Sequence, residues 1–400
     1  MPYSTLKQVA VWLSITCLAC TWAAGTWAAE RSSPLNEIEN EFHFVVLGDA
    51  QFHQPQRFNR LVTQSKKLDP AFVVQVGDLI EGYTNNLSQV EDEWLRFKGQ
   101  IAPLTNTPYL PVPGNHDVFG GAKKPDARLE ALYERNWGDL YFAHTYKNTL
   151  IIGLNSDSSE GMNQITGKQL RWLARTLENS QHQHKMIFVH RPPLLMKNGD
   201  DLHKLFVKAK VGHVFYGHHH HYHHFNKDGV NYTMTNAAAN SVNTNPLVGG
   251  FHHLLQVSVR GNKVSLASIE LDSIRSQDAV TPTDNYDFFT LSRNLVPKTI
   301  SARLADTNRW QFTIPLNNKT DRALTAYITC SSKDLRWQFN PQQIPAQNLN
   351  PQSKASIKVS ASFEFPVEST PQCAVSIPYQ TNKGAWTEVS NTITIEIPKR

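Results

Sequence analysis

Residues 109–117 read Tyr-Leu-Pro-Val-Pro-Gly-Asn-His-Asp: a short apolar run, Tyr109 to Val112, closing on Gly114-Asn115-His116-Asp117. Such an ending sets an amide oxygen, an imidazole and a carboxylate at one lip of a sheet. Taken alone it also suits an ordinary turn. Three similar strand ends agree with it: Phe42 to Leu47 runs into Gly48-Asp49-Ala50-Gln51, Ala71 to Val76 into Gly77-Asp78, and Val214 to Tyr216 into Gly217-His218-His219-His220. A fifth run, Lys185 to Val189, delivers His190 ahead of Arg191-Pro192-Pro193. Short apolar runs bounded by turn residues are the pattern of buried strands. Five of them ending in metal-competent side chains imply one shared site.

The segments between these runs predict helices. Gln56 to Leu68 places Phe58, Leu61, Val62 and Leu68 on one face, and Asp69-Pro70 stops it before the second strand. That is a β-α-β unit, which implies parallel strands with ligands at their carboxyl ends. A charged helix is expected over Gln89 to Gly99, with Trp94, Leu95 and Phe97 inward, and others near Asp126 to Arg135 and Asp201 to Lys208. Thr166 is expected to cap a helix from Gly167 to Glu178. The Lys- and Gly-bearing stretch from Phe119 to Tyr141 suits either a wall of a substrate cleft or a surface loop. Thr149 to Leu154 ends in Asn155-Ser156-Asp157, which makes Asn155 a candidate substrate contact. Tyr232 to Thr235, Leu254 to Val259 and Val264 to Glu270 alternate as antiparallel strands do. The expected body is two stacked sheets with helices outside.

Four hundred residues with 40% hydrophobic composition suffice for two cored domains. A net charge of +5 without any basic run gives no sign of nucleic-acid binding. Residues 1–29 resemble a secretory signal peptide: Lys7, then an apolar stretch from Val9 to about Ala24, then small residues. The stretch is short for a membrane span, so no transmembrane segment is expected after its removal and the protein is expected to be periplasmic or secreted. A lesser option is lipid anchoring through Cys20, although Cys17 sits where a lipoprotein signal prefers an aliphatic residue. Signal removal leaves Cys330 and Cys373, which are expected to pair. Composition shifts near Asp272. Residues 273–290 read as a polar, helix-poor linker, and 291–400 as short strands split by Asn-, Pro- and Ser-rich turns, an accessory β-sandwich of immunoglobulin-like type whose partner is unknown.

A water nucleophile and phosphate oxygens are well served by two cations about 4 Å apart. That chemistry needs one bridging carboxylate and mixed oxygen and imidazole ligands. Asp78 suits the bridge, with Asp49 and His220 on one ion and Asn115, His190 and His218 on the other. His218 and His220, two apart in extended backbone, should point the same way, and His219 elsewhere. The cluster from His218 to His224 has a second reading as a solvent-exposed histidine-rich tract that collects adventitious metal, and it is the reading given to His221, His223 and His224. Carboxylate, amide and imidazole together suit iron, manganese or zinc.

The ordered set Gly-Asp, Gly-Asp, Gly-Asn-His-Asp, His, Gly-His-x-His resembles the calcineurin-like metallophosphoesterase superfamily, which includes purple acid phosphatases, over residues 41–272. The resemblance implies a four-layer α/β/β/α sandwich, two divalent or trivalent metal ions and a phosphorylated substrate. It also implies a bridging hydroxide as nucleophile, His116 as proton donor and Asp117 orienting the His116 ring. This chain departs from the family pattern at Gln51, where a histidine is usual; Gln51 offers a neutral amide oxygen as ligand, and His53 is a less suitable substitute. Arg191 is a candidate phosphate contact. The expected function is an exported phosphoesterase acting on mono- or diesters. The alternative is a catalytically silent metal-containing binding protein that uses the C-terminal sandwich for a partner.

Overall fold

A computed structural model describes residues 40–236, 238, 245–363 and 369–398. The expected signal peptide and Cys20 lie outside these residues. In chain order the first half comprises β1 (Glu41–Leu47), α1 (Pro55–Lys67), β2 (Val73–Gln75), α2 (Leu87–Ile101), β3 (Tyr109–Pro111), α3 (Asn115–Val118), α4 (Ala127–Trp137), β4 (Phe142–Tyr146) and β5 (Thr149–Leu154). A small hairpin, β6 (Asp157–Ser158) and β7 (Gly161–Met162), precedes α5 (Gly167–Glu178), β8 (His184–Val189), α6 (Gly199–Lys208), β9 (His213–Tyr216), β10 (His223–Lys227) and β11 (Val230–Met234). Then come β12 (His253–Arg260), β13 (Lys263–Glu270), β14 (Ile274–Ser276) and α7 (Pro282–Asn294).

Two six-stranded sheets result, ordered β14-β13-β12-β1-β2-β3 and β10-β11-β9-β8-β5-β4. Their facing sides share one core, in which Phe44, Val46 and Val74 of the first meet Ile151, Phe188 and Phe215 of the second. The outer face of the first sheet packs Val45, Leu47 and Val73 against Phe58, Trp94, Phe97 and Leu129 of the helices. The outer face of the second packs Ile152, Ile187 and Val214 against Leu173 and Leu177 of α5 and Phe206 of α6. Strands covered on both faces read as continuous apolar runs, which is why β1, β5 and β8 were visible in the sequence. The layering is the α/β/β/α arrangement.

Several local expectations are corrected. Leu95 is 68% exposed while Trp94 and Phe97 are buried, because a helix lying on a sheet buries only one stripe. Thr166 occupies the N-cap position of α5 but its side chain makes no capping bond. β11 runs parallel to β9 and antiparallel only to β10, so the alternating strands do not form one antiparallel set. The span 273–290 is not helix-poor: β14 extends the first sheet, and α7 begins at Pro282 with Thr281 capping Asp284 N–H.

The remaining strands are β15 (Thr299–Ser301), β16 (Arg303–Asp306), β17 (Arg309–Asn318), β18 (Leu324–Ser331), β19 (Gln338–Asn340), β20 (Gln347–Leu349), β21 (Ser353–Ser362), β22 (Gln372–Gln380) and β23 (Trp386–Glu396). They form a five-stranded sheet, β15-β23-β22-β18-β20, and a four-stranded one, β16-β17-β21-β19. Phe312 and Ile314 from one and Val375, Ile377 and Ile393 from the other fill a common core, which also takes in Phe288, Leu291 and Leu295 at the end of the chain's last helix. Cys330 and Cys373 face each other across β18 and β22 and form a disulfide. Asp284 and Asp287 of α7 accept from Tyr379 Oη at 3.1 and 3.2 Å and pair with Arg322. Asn285 Nδ2 reaches back to the Val248 carbonyl at 2.8 Å. The second half of the expected linker is thus a helix with one buried polar face, while residues 273–279 are largely exposed.

Candidate metal centre

The ends of β1, β2, β3, β8 and β9 converge at one edge of the paired sheets. Close approach explains the glycines. Gly77 has φ +90°, and a Cβ there would meet Gly114 backbone and His190 Nδ1 at 2.7 Å. A Cβ on Gly114 would meet Asp78 Oδ1 at 2.2 Å. Only hydrogen at these positions lets the strand ends come together.

Two groups of ligand-type atoms form, Asp78/His190/His218 and Asp49/Asp78/His220, with the atoms of each group within 4.8 Å of one another. Asp78 belongs to both. Its Oδ2 lies 3.2 Å from His190 Nε2, and its Oδ1 accepts the His116 backbone N–H at 2.9 Å. Asp49 Oδ2 lies 3.1 Å from His220 Nε2. Asn115 Oδ1 is 3.0 Å from His190 Nε2 and so joins the first group. Burial opposes charge on Asp78, but His190 and His116 outweigh it and hold the carboxyl far below its usual range. Burial lowers the His190 imidazole while the Asp78 and Asp49 carboxylates lift it to about 9. Burial, then His190 and Arg191, push His218 down to about 2. A cation needs anionic carboxylate and neutral imidazole: Asp78 and His218 meet that, while His190 would have to release its proton on binding one.

His218 and His220 both sit at positive φ, 76° and 54°, in a turn beyond β9 rather than in extended chain. They reach opposite groups of the centre through that turn, a geometry spacing alone does not supply. Gln51, also at positive φ, is 1% exposed, and both its amide atoms lack a partner. Its backbone N–H donates to Asp78 O at 3.2 Å. An orphaned buried amide on a residue whose backbone is tied to Asp78 fits a ligand to a cation. His53 instead faces Glu81, at 3.5 Å.

The Asp117 carboxylate is hydrogen-bonded to backbone and not to the His116 ring. Its Oδ1 accepts from the N–H groups of Leu79 and Ile80 at 2.9 and 3.3 Å, and its Oδ2 from Gly114 N–H at 2.8 Å. In the single turn of α3 the side chains at 116 and 117 diverge by about 100°, so the carboxylate turns inward to the Asp78 loop. His116 Nδ1 bonds the Glu81 carbonyl instead.

Asn155 is wholly buried; its Oδ1 accepts from Asp157 N–H at 2.9 Å and its backbone pairs with the Gln169 amide. These bonds shape a turn, while the buried Asn155 Nδ2 has no hydrogen-bond partner. Asp157, which the sequence reading passed over, holds Arg191 Nε at 2.6 Å, while Arg191 Nη1 lies 2.9 Å from His218 Nε2. Arg191 thus stands at the rim against a centre histidine. Two histidines of the run are not solvated: His223 is buried against Tyr216 Oη at 3.0 Å, and His224 Nδ1 meets Thr233 Oγ1 at 2.8 Å, while His219 is exposed. Tyr83 was also missed, having no periodic or motif signal; its hydroxyl accepts from Asn115 Nδ2 at 2.6 Å.

The model of the calcineurin-like phosphoesterase family matches residues 42–222. The chain therefore carries a domain of the calcineurin-like metallophosphoesterase superfamily, and its class is that of metal-dependent phosphoester hydrolases. It is 26% identical over 295 residues to the human serine/threonine-protein phosphatase CPPED1, covering 62% of this chain and 90% of that protein. A probable glycerophosphodiester phosphodiesterase GpdQ from Arcobacter nitrofigilis is 26% identical over 129 residues, 32% of this chain and 44% of that one. A purple acid phosphatase from yellow lupin seeds superposes with a TM-score of 0.49 at 14% identity, covering 62% of this chain and 55% of that structure.

Proposed function

We propose that this chain is an exported phosphoesterase that hydrolyses phosphate mono- or diesters at a dinuclear centre. Asp49, Gln51 and His220 would hold one ion and Asn115, His190 and His218 another, with Asp78 available to both. The reading is carried by one observation: Asp78 lies in two ligand groups at once, Asp78/His190/His218 and Asp49/Asp78/His220. Two cations so held would neutralise phosphate oxygens and lower the pKa of a water nucleophile. Iron, manganese and zinc all accept this donor set.

The chain's own residues supply the rest. His116 is the proton donor to the leaving oxygen. Its Nδ1 is engaged by the Glu81 carbonyl, which leaves Nε2 for the substrate. Asp117 holds the turn that carries His116 rather than the ring itself. Arg191, braced by Asp157, contacts a non-bridging phosphate oxygen. Relatives whose names state a phosphatase and a phosphodiesterase support both ester classes.

Export is supported by the signal-like residues 1–29 and by the Cys330–Cys373 disulfide, since such bonds persist in oxidising compartments. Among the described residues no helix is long and apolar enough to cross a membrane. The C-terminal sandwich, which we read as immunoglobulin-like, is an accessory module.

The test is turnover of nitrophenyl and alkyl phosphate mono- and diesters by the full chain loaded with Mn, Zn or Fe. Hydrolysis is expected with at least one metal, and His116→Ala should lower kcat by on the order of 10²–10⁴, most for the alkyl esters. No turnover with any metal, or turnover indifferent to His116→Ala, would favour the silent metal-binding alternative.

A further inference from the structure

We propose that Tyr83 is a positioning residue of this centre, fixing both the Asn115 amide and the His116 ring; the inference rests on the dinuclear phosphoesterase reading above.

The backbone is bent to put Tyr83 there. Gly82 and Tyr83 are consecutive residues in the left-handed region, at φ 55° and 52°. A bulky aromatic seldom adopts that conformation, and residues held in it cluster at functional sites. Here Gly82 N–H is held by Glu93 Oε2 at 2.9 Å and Tyr83 N–H by the Phe119 carbonyl at 3.2 Å. A Cβ at Gly82 would lie 1.7 Å from the His116 carbonyl oxygen, so the turn is pressed directly onto the His116 segment.

From that turn the side chain does two things. Its hydroxyl takes the Nδ2 end of Asn115 at 2.6 Å, while the Oδ1 end lies 3.0 Å from His190 Nε2. An amide has one end that can ligate a cation and one that cannot. Occupying the Nδ2 end keeps the oxygen turned to the His190 group and fixes the amide plane. The Tyr83 ring also packs on the His116 imidazole, with centroids 4.1 Å apart and planes at 45°. With Nδ1 of that imidazole on the Glu81 carbonyl, the ring is restrained at an edge and on a face. The hydroxyl and the ring thus serve different partners, which makes the two roles separable.

Mn²⁺ binding to the metal-stripped full chain, followed by calorimetry, separates them. Tyr83→Phe keeps the ring and removes the hydroxyl; the weaker Mn²⁺ affinity should fall by roughly 10–100-fold, the usual effect of losing a partner behind a ligand. Combined with Asn115→Ala, the same change should have no further effect, because Tyr83 acts through that amide. Tyr83→Leu should in addition lower kcat on alkyl more than on nitrophenyl esters, as His116 loses its packing. Wild-type Mn²⁺ affinity in Tyr83→Phe, or an equal loss with and without Asn115, overturns the proposal. Asp78→Asn is the control: if it too binds Mn²⁺ as the wild type does, the dinuclear reading fails rather than the role of Tyr83.

Discussion

Asp49 Oδ2 and His220 Nε2 lie 3.1 Å apart although 171 residues separate them in the chain. The Asp78 carboxylate completes their group and also belongs to the group of His190 and His218. Two groups of ligand-type atoms therefore meet at one residue, and each can be tested separately.

Metal content should follow that division. The reconstituted wild type should bind about two Mn²⁺ per chain, Asp49→Asn or His220→Ala about one, and Asp78→Asn neither tightly. Elemental analysis after desalting measures this. Retention of both ions by Asp78→Asn would show that the carboxylate is not shared.

Asp117 should matter for stability rather than for proton transfer. Its two oxygens accept three backbone N–H groups in a wholly buried setting. Asp117→Asn replaces one acceptor oxygen with a donor that faces an N–H, a loss on the order of 1–3 kcal/mol. Urea unfolding should show it, while the pH–rate profile of the folded enzyme keeps its shape. A displaced limb of that profile would restore Asp117 to the His116 ring.

Arg322 should prove to be the keystone of the buried polar face of α7. Its guanidinium lies 3.1 Å from Asp284 and 2.8 Å from Asp287, and both carboxylates are buried. The guanidinium is 27% exposed and Asp284 keeps the Asn382 N–H and Tyr379 Oη as donors, so Arg322→Met should cost on the order of 1–3 kcal/mol. Adding Asp284→Asn and Asp287→Asn should recover part of the loss. Thermal melting of the three variants decides it.

His253 should steepen acid unfolding. Burial between Tyr222 and Phe251 pushes its imidazole down to about 4, below the ordinary value of 6.5. The unfolded chain therefore binds the extra proton first, and stability is lost as pH falls from about 6.5 through about 4. His253→Leu should flatten that limb, by up to roughly 3 kcal/mol at its foot. Urea midpoints measured across the window provide the check. An unchanged slope would mean that the ring is charged in the fold.

The sequence was most informative where one physical requirement shows in local order. Strands buried on both faces must be apolar throughout, so β1, β5 and β8 were visible. Four of the five strand ends pair a glycine with a candidate ligand, so Asp49, Asp78, Asn115 and His218 stand out; His190 follows Val189 directly. Helix α7 was hidden because its buried face includes Asp284, Asn285, Asp287 and Thr290 beside Phe288 and Leu291. Its stabilising partners, Tyr379 and Arg322, lie far along the chain.

The order of donor residues along the chain thus determined the class of chemistry and the fold that delivers it, because ligand type and strand pattern are local properties. Tertiary structure alone decided what each polar group does once delivered. Asp117 faces backbone, Asn155 folds into its own turn, Arg191 leans on His218, and Tyr83 reaches Asn115. Each of those outcomes depends on which donor a side chain meets when distant segments close on one another, and a linear pattern does not encode that distance.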